Sequence, residues 1–494
     1  VSLEPAPKKL VLAVIDGLKP AMLERAIASG RAPALAEIVE RGAYVPDMAA
    51  AFPSVTPACA ASIATGVGPD EHLIPSMNWY HREEGRYVEY GSSFSASRQF
   101  GLVRSLTDTV YNMNAVHLSP EVETVFELLD DAELRTAGTT YLMYRGRHRH
   151  EVAGESALAR LATSTFFRHA VYGPRELFYA DLFASRRTGC RGQLGMPGAR
   201  DQHTGCVGAY LVENDLCDFM LFSLPDNDTF SHRNGPHAQV TSIAEADRQL
   251  ERLMHAAGGL EAFFAEWGII VLADHSHTLV EQSVSLAEAF ADFAILPPGP
   301  AKVAHSEGDI ALCPAQRAAM VYVLDEERRP ELLPRIIACA RAVEGVDLVI
   351  SCEEGEGVIW SERGELRFAP GGELRDERDR AWSVEGELAA LQARVEDGRF
   401  LSPDYPDALS RAWSALTCSR AGEVLLSAGA GYEFVDWGGQ AHVGGGSHGS
   451  LHASDSLAPL LWAGTAGSPR SDEHAQWTLR DVVPMVRAHF GVDP

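Results

Sequence analysis

Residues 9–16, KLVLAVID, form an almost unbroken apolar run closed by an acid. That pattern predicts a strand buried on both faces, with Asp16 delivered at its C-terminal end. Two helices should follow, with Pro20 and Pro33 as first-turn prolines and Gly42 as a stop. The rhythm then recurs along the chain. SPEVETVFELLDDA (119–132) reads as a helix capped by Ser119, AGTTYLMY (137–144) as a strand and ESALARLATSTFFRHAV (155–171) as a helix. DFMLFSL (218–224) reads as a strand, about 239–257 as a long helix, GIIVLAD (268–274) as a strand, and APLLWAG (458–464) as a strand before a closing helix. Buried strands alternating with helices predict an α/β fold built on a doubly wound, mostly parallel sheet. Such sheets place their sites beyond the carboxyl ends of the strands, where Asp16, Asp228 and Asp274 all stand.

The rhythm breaks between about 280 and 430, where MVYVLDE, PELLPRIIACARAV and DLVISCEEGEGVIWSERGELRFA read as a strand, a helix and a strand pair. A smaller α+β insertion or cap at 280–430 would divide a catalytic core into 1–279 and 431–494. With 494 residues, 46% of them hydrophobic, the chain has ample material for one large core. Its 42 Lys and Arg against 68 Asp and Glu leave a formal charge of -26, which argues against a nonspecific nucleic-acid surface. The eight cysteines are scattered without a CxxC pair, as free thiols in a reducing compartment would be. No apolar run approaches the ~18 residues of a membrane span, and VSLEPAPKK has no signal-peptide core. A cytoplasmic location is the default expectation.

Four separated segments carry metal-type ligands: Asp16 in VIDG, Asp228 and His232 in DNDTFSHRNGP, Asp274 and His275 in LADHSH, and His448 in GGGSHGSLH. Three carboxylates and three imidazoles make two mixed oxygen and nitrogen sites, a composition that zinc accepts and manganese or iron could share. A fifth segment, AFPSVTPACAASIATG (51–66), sets the hydroxyls of Ser54 and Thr56 before a short helix of small residues. Helix capping alone would explain a hydroxyl there, and the same arrangement leaves helix amides facing an anion.

Taken together, AVIDG, FPSVTPACAASIATGVGPDEH, DNDTFSHRNGP, ADHSH and GSHG resemble the alkaline phosphatase superfamily, in its type I phosphodiesterase and nucleotide pyrophosphatase branch. The resemblance implies that Asp228, His232 and His448 hold one metal and that Asp16, Asp274 and His275 hold the other. It makes Thr56 both a ligand of the second metal and the nucleophile, passing through a covalent phosphothreonine. It also implies two zinc ions, a small anionic phosphate ester as substrate, and Asn78 as a phosphate contact. The chain departs from the family pattern where Ser231 replaces a glycine before His232 and where Leu73 follows His72. Asp226, His277, His442 and His452 are rival ligands ranked behind the six. His277 in particular is expected to point away from His275.

Charge arithmetic bears on the substrate. Two dications and three carboxylates leave +1, and a Thr56 alkoxide brings the site to zero, which suits a diester better than a dianionic monoester. No Lys or Arg lies between Arg41 and Arg82, so any further cation must come from elsewhere. YRGRHRHE (144–151) offers Arg145, Arg147 and Arg149 for a second anionic group, with pairing to the protein's own carboxylates as the alternative. The leading expectation is a two-metal phosphodiesterase or nucleotide pyrophosphatase. Its rivals are a phosphomonoesterase, a phosphonate or sulfate ester hydrolase, and a mutase-type phosphoryl transferase.

Overall fold

The computed structural model describes residues 7–151, 169–179, 182–193, 196–299 and 308–492. KLVLAVI forms the strand Lys9–Ile15, with Leu10 to Ile15 all buried. It runs parallel to Phe219–Leu224 on one side and to Trp267–Leu272 on the other. Outward from these, the eight-stranded sheet has the order Ala43–Ala49, Leu457–Ala463, Trp267–Leu272, Lys9–Ile15, Phe219–Leu224, Thr136–Thr139, Glu176–Tyr179, Phe183–Ala184. The inner strands are parallel, while Leu457–Ala463 pairs antiparallel with both of its neighbours. The helices Pro20–Ala28, Pro33–Arg41, Arg200–Glu213 and Val240–Ala256 pack together, as do Thr56–Thr65, Val125–Asp131 and Val482–Phe490. This is the mostly parallel α/β architecture that the alternation of apolar runs predicts. Each fully buried Leu, Ile or Val side chain of the strands contributes about 1.5–3 kcal/mol, so a sheet covered on both faces is the dominant stabilising element.

Register determines where the chemistry lies. Ile15 pairs with Leu224 and Val14 with Leu272, so three parallel strands end level. Asp16, Asp228 and Asp274 therefore leave the sheet along one edge.

A nine-stranded, largely antiparallel sheet is built from residues 310–428. It is tied to the edge of the first sheet by Arg317, a fully buried side chain. The Arg317 amide donates to His448 O at 2.9 Å, and its guanidinium reaches buried Asp455 at 3.2 Å and Gly429 O at 3.0 Å.

Several local expectations change. The helix expected over 119–132 starts later, at Val125, because Thr124 and Glu127 form a reciprocal capping box, while Ser119 accepts from the Glu121 amide. The strand expected over 137–144 stops at Thr139, since Thr140 adopts φ +49. The chain then turns so that the amides of Tyr144 and Arg145 both donate to Asn114 Oδ1. The helix expected over 155–171 lies, as far as 168, outside the described residues. The expectation of free thiols fails at Cys190 and Cys206, which form a disulfide. That bond is the chemistry of an oxidising environment. Among the described residues, no helix is long and apolar enough to cross a membrane.

Candidate active site

Thr56 opens the helix Thr56–Thr65, which carries Pro57 in its first turn and Gly66 in the left-handed conformation at its end. Nearly every side chain of this helix is buried, and its small residues let it pack closely with the helices Val125–Asp131 and Val482–Phe490. Val55 supplies no side-chain cap, and the Thr56 hydroxyl faces His275, with Oγ1 3.2 Å from Nε2.

Around that hydroxyl the structure brings together two groups of side chains, each with its ligand atoms within 4.8 Å of one another. One is Asp16, Asp274 and His275; the other is Asp228, His232, His277 and His448. In the first, His275 Nε2 lies 3.5 Å from Asp16 Oδ1 and 3.4 Å from Asp274 Oδ2. Asp274 Oδ1 is turned the other way, accepting from the amides of Gly17 at 3.2 Å and His275 at 3.0 Å. In the second, Asp228 Oδ1 lies 3.2 Å from His232 Nε2, 2.9 Å from His277 Nε2 and 3.5 Å from His448 Nε2. The rings of His275 and His448 stack with centroids 3.5 Å apart, so the two groups share a wall.

The donor set fits metal ions. Burial first, and then the charges of Asp274 and Asp228, push the Asp16 carboxyl well above its ordinary range. Its Oδ1 is buried without a hydrogen-bond partner among the described residues. Asp274 is raised as well, by burial and by Asp228. Burial also opposes ionisation of Asp228, but the neighbouring His232 and His277 outweigh it and hold that carboxyl low. Burial and the neighbouring imidazoles push His448 well down, so it is held neutral, as a ligand must be. Each of the three histidines picked out by motif donates Nδ1–H to a backbone carbonyl. His232 reaches Gly446 O at 2.8 Å, His275 reaches Ser276 O at 3.1 Å and His448 reaches Ser54 O at 2.8 Å. This fixes the tautomer that leaves Nε2 free to bind a metal.

The rivals resolve individually. Asp226 receives the amides of Gly198 and Asp201 and the Arg200 side chain. His452 caps the short helix Ala453–Ser456. His442 stacks on His232 at 4.0 Å and is held by buried Glu433 at 2.7 Å. His277 is different, because its Nε2 joins the Asp228 group. The expectation that it points away from His275 fails: residues two apart in an extended segment share a face, and the rings of His275 and His277 lie together with centroids 5.7 Å apart. Lys19, also missed, pins that segment by donating to His277 O at 2.9 Å.

Two expected substrate contacts have other duties. Asn78 lies in the strand Asn78–His81, and its Nδ2 donates to Val88 O at 3.1 Å and Glu89 Oε2 at 3.0 Å, tying a hairpin. Arg145 is an internal brace, with Nε on Glu127 at 3.0 Å and Nη1 on Ser119 O at 2.9 Å. Arg147 is paired with Glu123, Glu127 and Asp131, and Arg149 with Glu151. The strand break at Thr140 turns this loop into a structural one. Arg145→Ala is accordingly expected to lower stability by about 3 kcal/mol, the scale of breaking a buried pair, while leaving KM for a diester unchanged. Denaturant unfolding and steady-state kinetics check the two halves of that statement.

Comparison with known proteins follows the same lines. No curated protein sequence matches the chain. Among solved structures, phosphonoacetate hydrolase from Sinorhizobium meliloti 1021 in complex with phosphonoacetate superposes with a TM-score of 0.56 at 19% identity, covering 98% of this chain and 97% of that one. Murine ectonucleotide pyrophosphatase/phosphodiesterase 5 superposes with a TM-score of 0.58 at 12% identity, covering 98% and 96%. At such identities the likeness is one of fold alone. The family model for type I phosphodiesterase / nucleotide pyrophosphatase matches residues 10–451. Since that match spans most of the chain, the protein belongs to the type I phosphodiesterase/nucleotide pyrophosphatase family, a family of hydrolases.

Proposed function

We propose that this chain hydrolyses phosphodiester or pyrophosphate bonds through a phosphothreonine on Thr56, with two metal ions held by its two groups of ligands. The observation that carries the reading is the placement of the Thr56 hydroxyl 3.2 Å from His275 Nε2, beside buried carboxylates that repel one another. Asp228, His232 and His448 would hold one ion, and Asp16, Asp274, His275 and Thr56 the other. Bound there, two zinc ions would acidify the Thr56 hydroxyl and neutralise charge on the phosphoryl and leaving oxygens; manganese or iron could do the same.

The protein supplies the rest. Thr56 Oγ1 attacks phosphorus in line, forming the Thr56 O–P bond as the bond to the leaving oxygen breaks; water later cleaves the phosphothreonine, returns the hydroxyl and releases the phosphoryl group. The amides at the start of Thr56–Thr65 offer donors and the positive end of a helix dipole to the phosphoryl oxygens. Ser54 holds the nucleophile loop in register with His448, its hydroxyl donating to Ser450 O at 2.9 Å and accepting from the Gly449 amide at 3.1 Å.

A diester fits best. The arginines of 145–149 are spent on the protein's own carboxylates, so they add nothing to the net +1 left by two dications and three aspartates. With zinc supplied, bis-p-nitrophenyl phosphate is expected to be turned over with a higher kcat/KM than p-nitrophenyl phosphate or p-nitrophenyl sulfate. Strong dominance of the monoester would overturn the diester assignment. Phosphonoacetate belongs in the same panel, since a structural neighbour is a phosphonoacetate hydrolase.

A further inference from the structure

We propose that His277 is a positioning residue for the metal site of Asp228, donating its Nε2–H to Asp228 Oδ1 and thereby fixing the carboxylate that, in the function proposed above, binds one of the two ions. The contact is 2.9 Å long, and His277 is fully buried. The ring sits in a cradle that two glycines leave open. A Cβ at Gly17, where φ is +65, would stand 2.5 Å from Nε2, and one at Gly446 would stand 2.9 Å from Nδ1. Neither position could carry a side chain without moving the imidazole. The backbone beneath it is held by Lys19 Nζ on His277 O at 2.9 Å and by the Ser276 amide on Asp455 O at 3.1 Å.

The tautomer separates this histidine from its neighbours. His232, His275 and His448 each place Nδ1–H on a carbonyl and keep Nε2 bare. His277 Nδ1 is buried and, among the described residues, has no such acceptor. A neutral imidazole carries one N–H, and in His277 the acceptor in reach is Asp228 Oδ1, at Nε2. The same ring atom therefore cannot offer a lone pair to a metal. A metal-bound carboxylate that is itself hydrogen-bonded is held in orientation, and loss of such a partner typically costs about 10- to 100-fold in metal affinity. Ser231 Oγ, also buried without a partner, lies 2.8 Å from the same Gly446 Cβ position and faces the space beside Nδ1.

The test is chelator competition on the full chain, stripped and reloaded with zinc, comparing wild type, His277→Met, which removes the donor, and His277→Gln, which keeps an N–H. Circular dichroism and melting of the metal-free proteins accompany it. In His277→Met, one of the two ions is expected to bind about 10- to 100-fold more weakly with the other unchanged, and His277→Gln is expected to recover most of the loss. Cobalt-loaded His277→Met should keep the wild-type visible bands, because no ligand has been removed. Wild-type affinity at both sites in His277→Met overturns the proposal alone. Altered cobalt bands that His277→Gln does not restore make His277 a ligand, and overturn it too. A wild-type chain that binds no ion overturns the two-metal reading together with this proposal.

Discussion

Thr56→Ala is expected to lower turnover of a diester by about 10⁴-fold or more, the scale on which removal of a covalent nucleophile is felt, without preventing zinc from binding. Ser54, the other hydroxyl of FPSVT, cannot take over. Ser54, two residues away, is fully buried, and its Oγ is committed to Ser450 O and the Gly449 amide, so it cannot turn to a phosphorus. Among the described residues, Thr56 has no such commitment, and its hydroxyl meets only the Nε2 edge of His275. Thr56→Ser keeps the oxygen and is expected to restore much of the rate. Acid quenching of the wild type during turnover should trap phosphate on the peptide containing residue 56, and the same quench of Thr56→Ala should trap none. Undiminished turnover in Thr56→Ala would overturn the nucleophile, and a trapped phosphate elsewhere would name its replacement. Ser54→Ala should behave differently, because it frees the His448 loop and so weakens an ion before it slows the chemistry.

What could be read from sequence divides along physical lines. The sheet was legible because strands buried on both faces must be apolar throughout, so KLVLAVI, FMLFSL and GIIVL declare themselves without neighbours. The positions of Asp16, Asp228 and Asp274 followed from the strand ends. Errors begin where the chain leaves the sheet. Setting His277 aside as pointing away from His275 goes against the rule that residues two apart in an extended segment share a face, and both rings join the site. Arg145 was aimed at the site by extending a strand that Thr140 ends with its left-handed backbone. Asn78 was placed by motif spacing, but its amide is used inside its own hairpin. The pairing of Cys190 with Cys206 depends on a return of the chain onto the helix Arg200–Glu213, which no local pattern encodes. Arg317 is legible only in three dimensions, since its partners come from the loops around residues 428–455.

Asp16→Asn is expected to stabilise the metal-free protein at neutral and alkaline pH and to cripple the loaded one. Asp16 is buried near Asp274 and Asp228, and its carboxyl is raised well above its ordinary value of 3.8. A carboxyl whose folded pKa exceeds its unfolded value makes a stabilising contribution that is complete below the unfolded value and is lost as pH rises through the folded one. Asp274 is raised in the same sense, so the metal-free site resists folding most where both are ionised. Asparagine removes one of those charges at every pH. Metal reverses the ranking. An ion present at 1,000 times its Kd adds about 4 kcal/mol to the folded state; the wild type collects that at two sites, and Asp16→Asn at one. Denaturant unfolding at pH 5 and pH 8, with and without zinc, should therefore show the two stabilities crossing. Metal-free Asp16→Asn should be the more stable protein at pH 8, by a margin that shrinks at pH 5, and zinc-loaded wild type should be the more stable of the loaded pair. Turnover by the variant should fall about 10²- to 10³-fold, as for loss of one charge partner of the transition state. If metal-free Asp16→Asn is the less stable protein at pH 8, the three carboxylates do not repel one another as their burial requires, and the case for two ions among them loses its physical basis.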